Sequence, residues 1–409
     1  MDLQKNIEKY VSLILKAGLR LKKGDNLLVL VNEETLPMVR EVTKQAYKMG
    51  VNDVIYDFSD DELTLLRYQY GNDEVFRYLP QFKMDYLEQA YKHNYHRLAL
   101  VAPNPELLKN VDTNKISLWQ TTYAKANQPI MKYVMENRVK WNVAAFASTA
   151  WAKTVFPDLA ETDAVQKLWE TIFAITRVNT DDPVAAWEKH NNALKEHEKI
   201  LNTMRFEKLL YTGPGTDLEV YLPEGHSWMG GSATTTGGES FLPNIPTEEV
   251  FSMPHAYKVN GTLRATKPLA VRGKIVDGFE FTFKDGKIVA FDAKEGKDIL
   301  DDLIHTDEGA SRLGEVALVA DDSPISNTNL LFKNTLFDEN ASCHFAIGNA
   351  YSENLPGSTV FTDEQKKAAG MNTSMIHVDF MVGGPELSVI GVKKDGTRVP
   401  VLERGNWAL

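Results

Sequence analysis

The amino-acid sequence predicts a mixed fold: an α/β N-terminal part with a mostly parallel sheet, followed by a β-rich, α+β C-terminal part. Two observations predict it. Helical and strand-type apolar patterns alternate through the first half of the chain, which is typical of helices covering a parallel sheet. From Phe206 onward, short β-type runs are separated by glycine turns. We therefore expect an N-terminal α/β domain at residues 1–204, single or divided into two subdomains, and a C-terminal β-rich domain at residues 205–409.

The first half begins with apolar residues at helical spacing, and short apolar runs of buried-strand type follow it. Gly50 is a C-cap residue that ends the second helical pattern. A long helical stretch covers about residues 162–203 and is interrupted near Asp182-Pro183, a pair typical of a helix start. The patterns before it predict, in order, a helix at 3–21, a strand at 27–31, a helix at 34–48 and strands at 51–58, 97–102 and 139–147.

The second half has a different texture. Two alternating runs flank Lys284-Asp285-Gly286-Lys287, and a turn of this composition predicts a β-hairpin. Residues 298–313 are predicted to form one helix, and the segment from Ser374 to Leu402 is predicted to form strands again.

Composition excludes several classes of function. Lys and Arg number 45 against 56 Asp and Glu, a net charge of -11, and this balance argues against a nucleic-acid partner, which needs a clustered positive field. No apolar run approaches the ~18 residues of a membrane span. Charged residues interrupt the beginning of the chain, which therefore lacks the apolar stretch of a signal peptide. The single cysteine, Cys343, fits a reducing compartment. We expect a cytoplasmic protein without a membrane partner.

Familiar catalytic signatures do not occur in the sequence: HExxH, the Walker A pattern, GxSxG and paired CxxC are all missing. Residues able to bind metal ions are instead concentrated in the second half. The first candidates are Glu248 and Glu249, which follow two prolines in an extended run. Because adjacent strand residues point to opposite faces, only one of them can easily face a given site. The alternative interpretation is a solvated loop edge.

Glu315 stands within the apolar run Leu313–Val319. A buried carboxylate is usually paired or bound to a metal ion, and an ion pair with Arg312 is the competing interpretation. His344 lies among small and apolar residues, where a ligand or a hydrogen-bonded core histidine would both fit. Cys343 is interpreted as a small buried residue rather than as a ligand or nucleophile.

His377 and Asp379 are the most informative local pattern. They are two residues apart in a β-type run, so both side chains project from one face of the strand. Ile376, Val378 and Phe380 take the other face. Such a strand carries either a metal site or a polar network.

Together these residues supply three carboxylates and two imidazoles within one predicted domain. This inventory matches a pair of divalent cations about 3.5–4 Å apart, bridged by a carboxylate and a water, as in two-metal hydrolases. Nitrogen and oxygen donors without sulfur suit Zn, Co or Mn and do not choose among them.

At these residues the sequence resembles the M29 family of metallo-aminopeptidases. The resemblance runs the full length, and it is most specific in NIPTEEVF, GEVALV, the stretch from His344 to Tyr351, and HVDFMVGG. It implies that Glu249 rather than Glu248 is a ligand, and that Glu315 is the bridging carboxylate. The metal ligands implied by the resemblance are Glu249, Glu315, His344, Tyr351, His377 and Asp379.

The resemblance further implies two divalent ions per chain (Zn, Co, Mn or Mg), peptide substrates with a free N-terminus and a homodimer. In the mechanism we expect, a water bridging the two ions attacks the N-terminal peptide bond. Glu248 is the candidate for moving the proton to the leaving amine, and Tyr351, as ligand or donor, is the candidate for stabilising the oxyanion. Two alternatives stay open: a two-metal phosphoesterase or amidohydrolase, and a binding protein without catalysis.

Overall fold

The protein, described here by a computed structural model covering residues 2–104, 106–271 and 274–409, forms two compact units. The first comprises Met1–His190 and Ser232–Pro246, and the second Asn191–Gly231 and Thr247–Leu409. Compactness alone does not show where an independently folding segment ends. The domain boundary near residue 205 therefore stays a prediction.

Twelve α-helices are present in the described part of the chain. None of the helices in that part is long and apolar enough to cross a membrane. In chain order they are α1 (Leu3–Leu13), α2 (Leu36–Lys48), α3 (Asp61–Tyr70), α4 (Glu74–Arg77), α5 (Gln81–Lys92), α6 (Thr113–Met135), α7 (Thr149–Val155), α8 (Glu161–Ile175), α9 (Pro183–Met204), α10 (Lys297–Ile304), α11 (Thr335–Asp338) and α12 (Asp363–Ala368).

Strands occupy much of the second half of the chain. In chain order they are β1 (Asn26–Asn32), β2 (Asp53–Ser59), β3 (Tyr95–Val101), β4 (Trp141–Ala145), β5 (Lys208–Gly213), β6 (Thr216–Tyr221), β7 (Met229–Gly230), β8 (Ala233–Thr234), β9 (Ser240–Phe241), β10 (Asn244–Ile245), β11 (Glu249–Ser252), β12 (Val259–Arg264), β13 (Leu269–Val271), β14 (Lys274–Val276), β15 (Glu280–Lys284), β16 (Lys287–Asp292), β17 (Leu313–Val319), β18 (His344–Gly348), β19 (His377–Met381), β20 (Ser388–Val392), β21 (Arg398–Glu403) and β22 (Asn406–Trp407).

The first unit contains a parallel five-stranded sheet in the order β10-β4-β3-β1-β2. Helices connect each strand from β1 to β4 to the next one along the chain, because parallel neighbours need crossover connections. The prediction of an α/β part with a parallel sheet is confirmed. The first helix is shorter than predicted: α1 ends at Leu13, and a π-helical turn, Ile14–Gly18, continues it.

The second unit contains two larger antiparallel sheets. One has eight strands, in the order β16-β15-β12-β6-β5-β20-β21-β22, and the other has five, in the order β19-β18-β17-β11-β7. Aromatic residues from both sheets meet in the core, where Tyr211 packs on Phe345 and Phe281 packs on Phe380, with ring centroids 5.0 and 5.4 Å apart. The β-rich C-terminal part is therefore confirmed, and so is the hairpin, formed by β15 and β16.

The single helix predicted at residues 298–313 is wrong beyond residue 304. Helix α10 ends at Ile304, and strand β17 starts at Leu313. The Asp307 carboxylate accepts hydrogen bonds from the backbone N–H groups of Ala310 and Met375, at 2.8 and 2.6 Å. Met375 lies two residues before strand β19, so these bonds connect the segment after α10 to the start of that strand. Leu313, the last residue of the predicted helix, instead begins a fully buried strand.

Candidate metal centre

The candidate residues share one face of the five-stranded sheet. The register pairs Ala317 with His344 and Glu315 with Ala346, and it pairs Ala346 with Asp379. Residues directly opposite each other on antiparallel strands project to the same side. The same reasoning places the remaining two candidates on this face, through the pairs Glu249–Val319 and Gly348–His377. We call this the donor face.

The opposite face of the same sheet is apolar. Val250, Val316, Phe345 and Phe380, which alternate with the donors along their strands, all belong to the buried core of the second unit. Burial of this face orients the strands, because a shift in register by one residue would exchange the two faces. The alternation predicted for residues 376–380 is therefore observed, and it extends to three further strands.

The donors form two groups that share Glu315. His344 Nε2 lies 3.3 Å from Glu249 Oε2 and 3.4 Å from Glu315 Oε1. His377 Nε2 lies 3.5 Å from Glu315 Oε2 and 3.2 Å from Asp379 Oδ1. The two carboxylate oxygens of Glu315 therefore face two different imidazoles.

Backbone carbonyls orient both imidazoles. His344 Nδ1 lies 3.1 Å from the Ser342 carbonyl oxygen, and His377 Nδ1 lies 2.7 Å from the Asn349 carbonyl oxygen. A carbonyl only accepts, so each Nδ1 must carry the proton. This arrangement turns Nε2 toward the carboxylates, as is usual for histidines that bind metal ions.

Tyr351 adjoins the second group. Its ring centroid is 4.8 Å from that of His377 and 6.1 Å from that of Phe251. Burial raises the pKa of the Tyr351 hydroxyl well above its usual value, and the carboxylates of Glu315 and Asp379 raise it further. Among carboxylates alone, this direction favours the protonated phenol, which can donate a hydrogen bond.

Glu339 is a carboxylate at the site that sequence reasoning missed. Burial raises its pKa well above the usual value, and the nearby carboxylates of Glu249 and Asp379 raise it further. The available signal was an acidic pair, Asp338-Glu339, which directly follows the apolar pair Leu336-Phe337 and precedes His344 by a few residues. Because a buried carboxylate needs a partner, that segment could have been considered with Glu315.

Glu248 lies immediately before strand β11 and is buried. Its backbone N–H donates to the side-chain oxygen of Asn340, at 2.7 Å, and the amide nitrogen of Asn340 lies 3.4 Å from Glu339 Oε1. Asn340 thus links the start of strand β11 to the turn that carries Glu339. The role of Glu248 in proton transfer stays a prediction.

The competing interpretations of Glu315 and Cys343 can be compared with the observed contacts. Arg312 donates to the carbonyl oxygens of Ala256 and Asp285, at 3.0 and 3.1 Å, rather than to Glu315. Cys343 is buried, and its thiol donates to the Val319 carbonyl at 3.2 Å. Burial raises the pKa of the Cys343 thiol to about 11, which fits a structural cysteine.

Negative charge dominates this centre. Burial raises the pKa of Glu315, and the carboxylate of Asp379 raises it further. Burial alone would lower the pKa of His344, but Glu249 and Glu315 raise it well above its usual value. Carboxylate oxygens and imidazole nitrogens are suitable ligands for divalent cations. The residues present therefore fit metal ions in both donor type and charge.

Oxygen and nitrogen donors clustered on a buried sheet face of a mixed α/β fold fit the class of metal-dependent enzymes. The model of the thermophilic metalloprotease family M29 matches residues 3–407, and the chain belongs to this family. The family predicted from the sequence is confirmed, as is the prediction of a metal-dependent enzyme that acts on peptide bonds.

Relatives resemble the chain over nearly its whole length. Aminopeptidase 2 of Geobacillus stearothermophilus is 44% identical, and the match covers 99% of this chain and 98% of that protein. Aminopeptidase T of Thermus thermophilus is 41% identical, and 99% of each chain is covered. Aminopeptidase AmpS of Bacillus subtilis (strain 168) is 40% identical, with 98% of each covered.

Two solved structures resemble the fold of this chain. Wild-type AmpT from Thermus thermophilus superposes with a TM-score of 0.94 at 41% identity, covering 99% of this chain and 100% of that one. A 2,5-dihydroxypyridine dioxygenase from Pseudomonas putida KT2440 gives a TM-score of 0.56 at 10% identity. The second likeness concerns the fold alone.

Proposed function

We propose that this chain is an aminopeptidase that removes the N-terminal residue of peptides and uses two divalent cations. The observation that carries the proposal is the arrangement of donors around Glu315, whose two oxygens lie 3.4 and 3.5 Å from two different imidazoles. A carboxylate in this position suits a bridge between two ions, and pairs of ions in two-metal sites are ~3.5–4 Å apart.

The two groups suggest how the ligands divide. Glu249 and His344 would hold one ion, and His377 and Asp379 the other, with Glu315 shared. Tyr351 and Glu339 adjoin these groups and are further candidates for ligands. The donor set suits Zn, Co or Mn, and Mg is included in the test below.

When bound, such cations polarise the scissile carbonyl and lower the pKa of a water molecule. The side chains around them would supply the remaining chemistry. Glu248, and with it Glu339, is a candidate for carrying a proton to the leaving amine. The Tyr351 hydroxyl would donate a hydrogen bond to the developing oxyanion. The free α-amine and the scissile carbonyl of the substrate would be held at this centre.

Family membership favours a peptidase over the phosphoesterase, the amidohydrolase and the non-enzymatic binding protein considered from the sequence. The relatives named as aminopeptidases support removal of N-terminal residues in particular. The cytoplasmic location and the homodimer stay predictions.

Metal removal and return test the proposal. The purified protein is treated with EDTA, dialysed, and supplied separately with Co, Zn, Mn or Mg. Hydrolysis is then followed on a panel of aminoacyl p-nitroanilides, their N-acetylated counterparts and phosphate esters. We expect activity to disappear with EDTA, to return with at least one metal ion, and to require a free amine. Equal turnover of N-acetylated substrates, or full activity without metal, would contradict the proposal.

A further inference from the structure

An apolar strip borders the donors on the donor face. Phe251 follows Glu249 by two residues in strand β11, so their side chains share a face. The register pairs Phe251 with Met229 on one side and with Ala317 on the other. These three apolar residues therefore form one continuous row beside the carboxylates.

Phe251 differs from the rest of its strand in exposure. The other three residues of β11 are buried, whereas Phe251 is half-buried. Val250 on the opposite face belongs to the apolar core of the second unit. A partly exposed phenyl ring among ionisable side chains presents an apolar surface to whatever enters the site.

The ring also extends an aromatic wall toward the donors. Phe251 meets Tyr351 edge to face, with an interplanar angle of 71°, and Tyr351 in turn contacts His377. Ala317 stands between Phe251 and His344, since it pairs with both. Neighbouring strands are ~4.8 Å apart, so the backbones that carry Phe251 and His344 are separated by roughly twice that distance. The side chain of Ala317 between them is a single, fully buried methyl group.

We infer that Phe251 is the apolar wall of the subsite that receives the side chain of the substrate's N-terminal residue. The preferred substrates are then peptides that begin with a large apolar residue. This inference rests on the proposed function: an α-amine held at the metal centre places the first side chain of the substrate beside the donor face. An apolar ring at that position favours aliphatic and aromatic side chains, because their burial releases water.

Substitutions of Phe251 test the inference through the ratio of substrates. Apolar pockets discriminate by roughly 10–200-fold per methylene group. In Phe251→Ala we expect the preference for Leu-p-nitroanilide over Ala-p-nitroanilide, measured as kcat/KM, to fall by about tenfold or more. In Phe251→Glu we expect Arg-p-nitroanilide to replace Leu-p-nitroanilide as the better substrate. Binding of free leucine, measured by calorimetry on the metal-loaded protein, should weaken in parallel.

Phe291→Ala is the matched control. Phe291 is also half-buried, but it packs against the apolar core of the second unit and lies on strand β16 of the other sheet. This variant should lose stability without a change in the substrate ratio. Phe251→Leu keeps an apolar side chain and provides a folded comparison if Phe251→Ala does not fold.

Three outcomes are distinguished. A changed ratio in the Phe251 variants alone supports the inference. A uniform loss for all substrates, with leucine binding unchanged, overturns it and leaves Phe251 as packing for Tyr351. If the wild-type protein itself hydrolyses no aminoacyl anilide with any metal ion, the proposed function fails instead.

Discussion

Lys140 in the first unit is fully buried, and its ammonium nitrogen lies 2.6 Å from Asp25 Oδ2 and 3.8 Å from Glu239 Oε1. It also donates to the Arg20 carbonyl oxygen at 3.2 Å. In the second unit, the buried Glu315 carboxylate has two imidazoles within 3.5 Å and further carboxylates around it. Both units thus bury ionised groups, but only the first cluster includes a lysine.

The directions of the pKa shifts follow from this difference. Burial alone would raise the pKa of Asp25, but His96 and Lys140 hold it well below its usual range. The pKa of Glu315 is raised, because burial and neighbouring carboxylates outweigh its imidazole partners. The first cluster is balanced, because Lys22 also lies 3.2 Å from Glu239, and breaking a buried pair within such a cluster is strongly destabilising. An unbalanced cluster at a sheet face is typical of a functional site, and here it requires cations.

Removing the shared carboxylate should have the largest effect. Glu315→Ala should lose bound metal and reduce hydrolysis of Leu-p-nitroanilide by more than about a hundredfold, since even outer partners of metal ligands are worth 10–100-fold. Without metal, the variant should unfold at the wild-type temperature or above it, because the raised pKa of Glu315 means that its ionised form disfavours the folded state. Elemental analysis and thermal unfolding in EDTA measure these two effects.

Glu315→Gln serves as the control for shape, because it keeps the side-chain volume and removes the charge. It should bind metal as poorly as Glu315→Ala. Normal turnover and full metal content in either variant would refute the assignment of Glu315.

Filling the space between the donors is the next largest perturbation. Ala346 is fully buried and pairs with Glu315 on one side and with Asp379 on the other. A leucine at this position would project between the two carboxylates. We expect Ala346→Leu to weaken metal binding by about tenfold or more, measured by equilibrium dialysis, with Ala346→Gly as the small control. Unchanged affinity in a folded Ala346→Leu variant would show that the ions lie elsewhere.

Strand alternation explains how much of the site the sequence could reveal. His377 and Asp379 are two residues apart, so local periodicity alone places them on one face. The same rule could not choose between Glu248 and Glu249. Alternation places adjacent residues on opposite faces but does not say which face holds the site, and in the structure the strand starts at Glu249. Strand alternation also could not predict that Glu249 lies near His344, since their proximity depends on the pairing of three strands. The resemblance to the family supplied what periodicity could not.

Other features escaped the sequence for similar reasons. Glu339 lies in a short 3₁₀ turn, where no periodic pattern marks the direction of a side chain. The helix predicted through residue 313 ended at Ile304, because contacts made by Asp307 with a distant segment interrupt it. Phe251 appears as an ordinary apolar strand residue until the register places it beside the donors. Long-range pairing is the information that one sequence lacks.

Removing the lysine should destabilise the first unit without affecting the metal centre. Lys140→Met leaves the Asp25 carboxylate without its closest cation, and breaking a buried pair costs about 3–5 kcal/mol. Urea unfolding measures the loss. A second change, Asp25→Asn in the same chain, should recover part of it, because no unpaired charge then remains. Metal affinity should stay at the wild-type value. A parallel loss of metal affinity would contradict the contrast between the two clusters.

Acid should weaken the balanced cluster in a defined direction. The folded-state pKa of Asp25 lies below its unfolded value of about 3.9, so its ionised form stabilises the fold above that pH, and this contribution is lost as the pH falls toward the folded value. The difference in unfolding free energy between wild type and Asp25→Asn, measured in urea with EDTA present, should therefore shrink between about pH 5 and pH 3.

Asp292→Asn is the matched control. Lys297 lowers the pKa of Asp292 by a hydrogen bond, but both side chains are exposed, and exposed pairs contribute little. The difference in unfolding free energy between wild type and Asp292→Asn should barely change over the same pH range. Equal pH slopes for the two variants would mean that burial around Lys140 adds nothing to the strength of the pair.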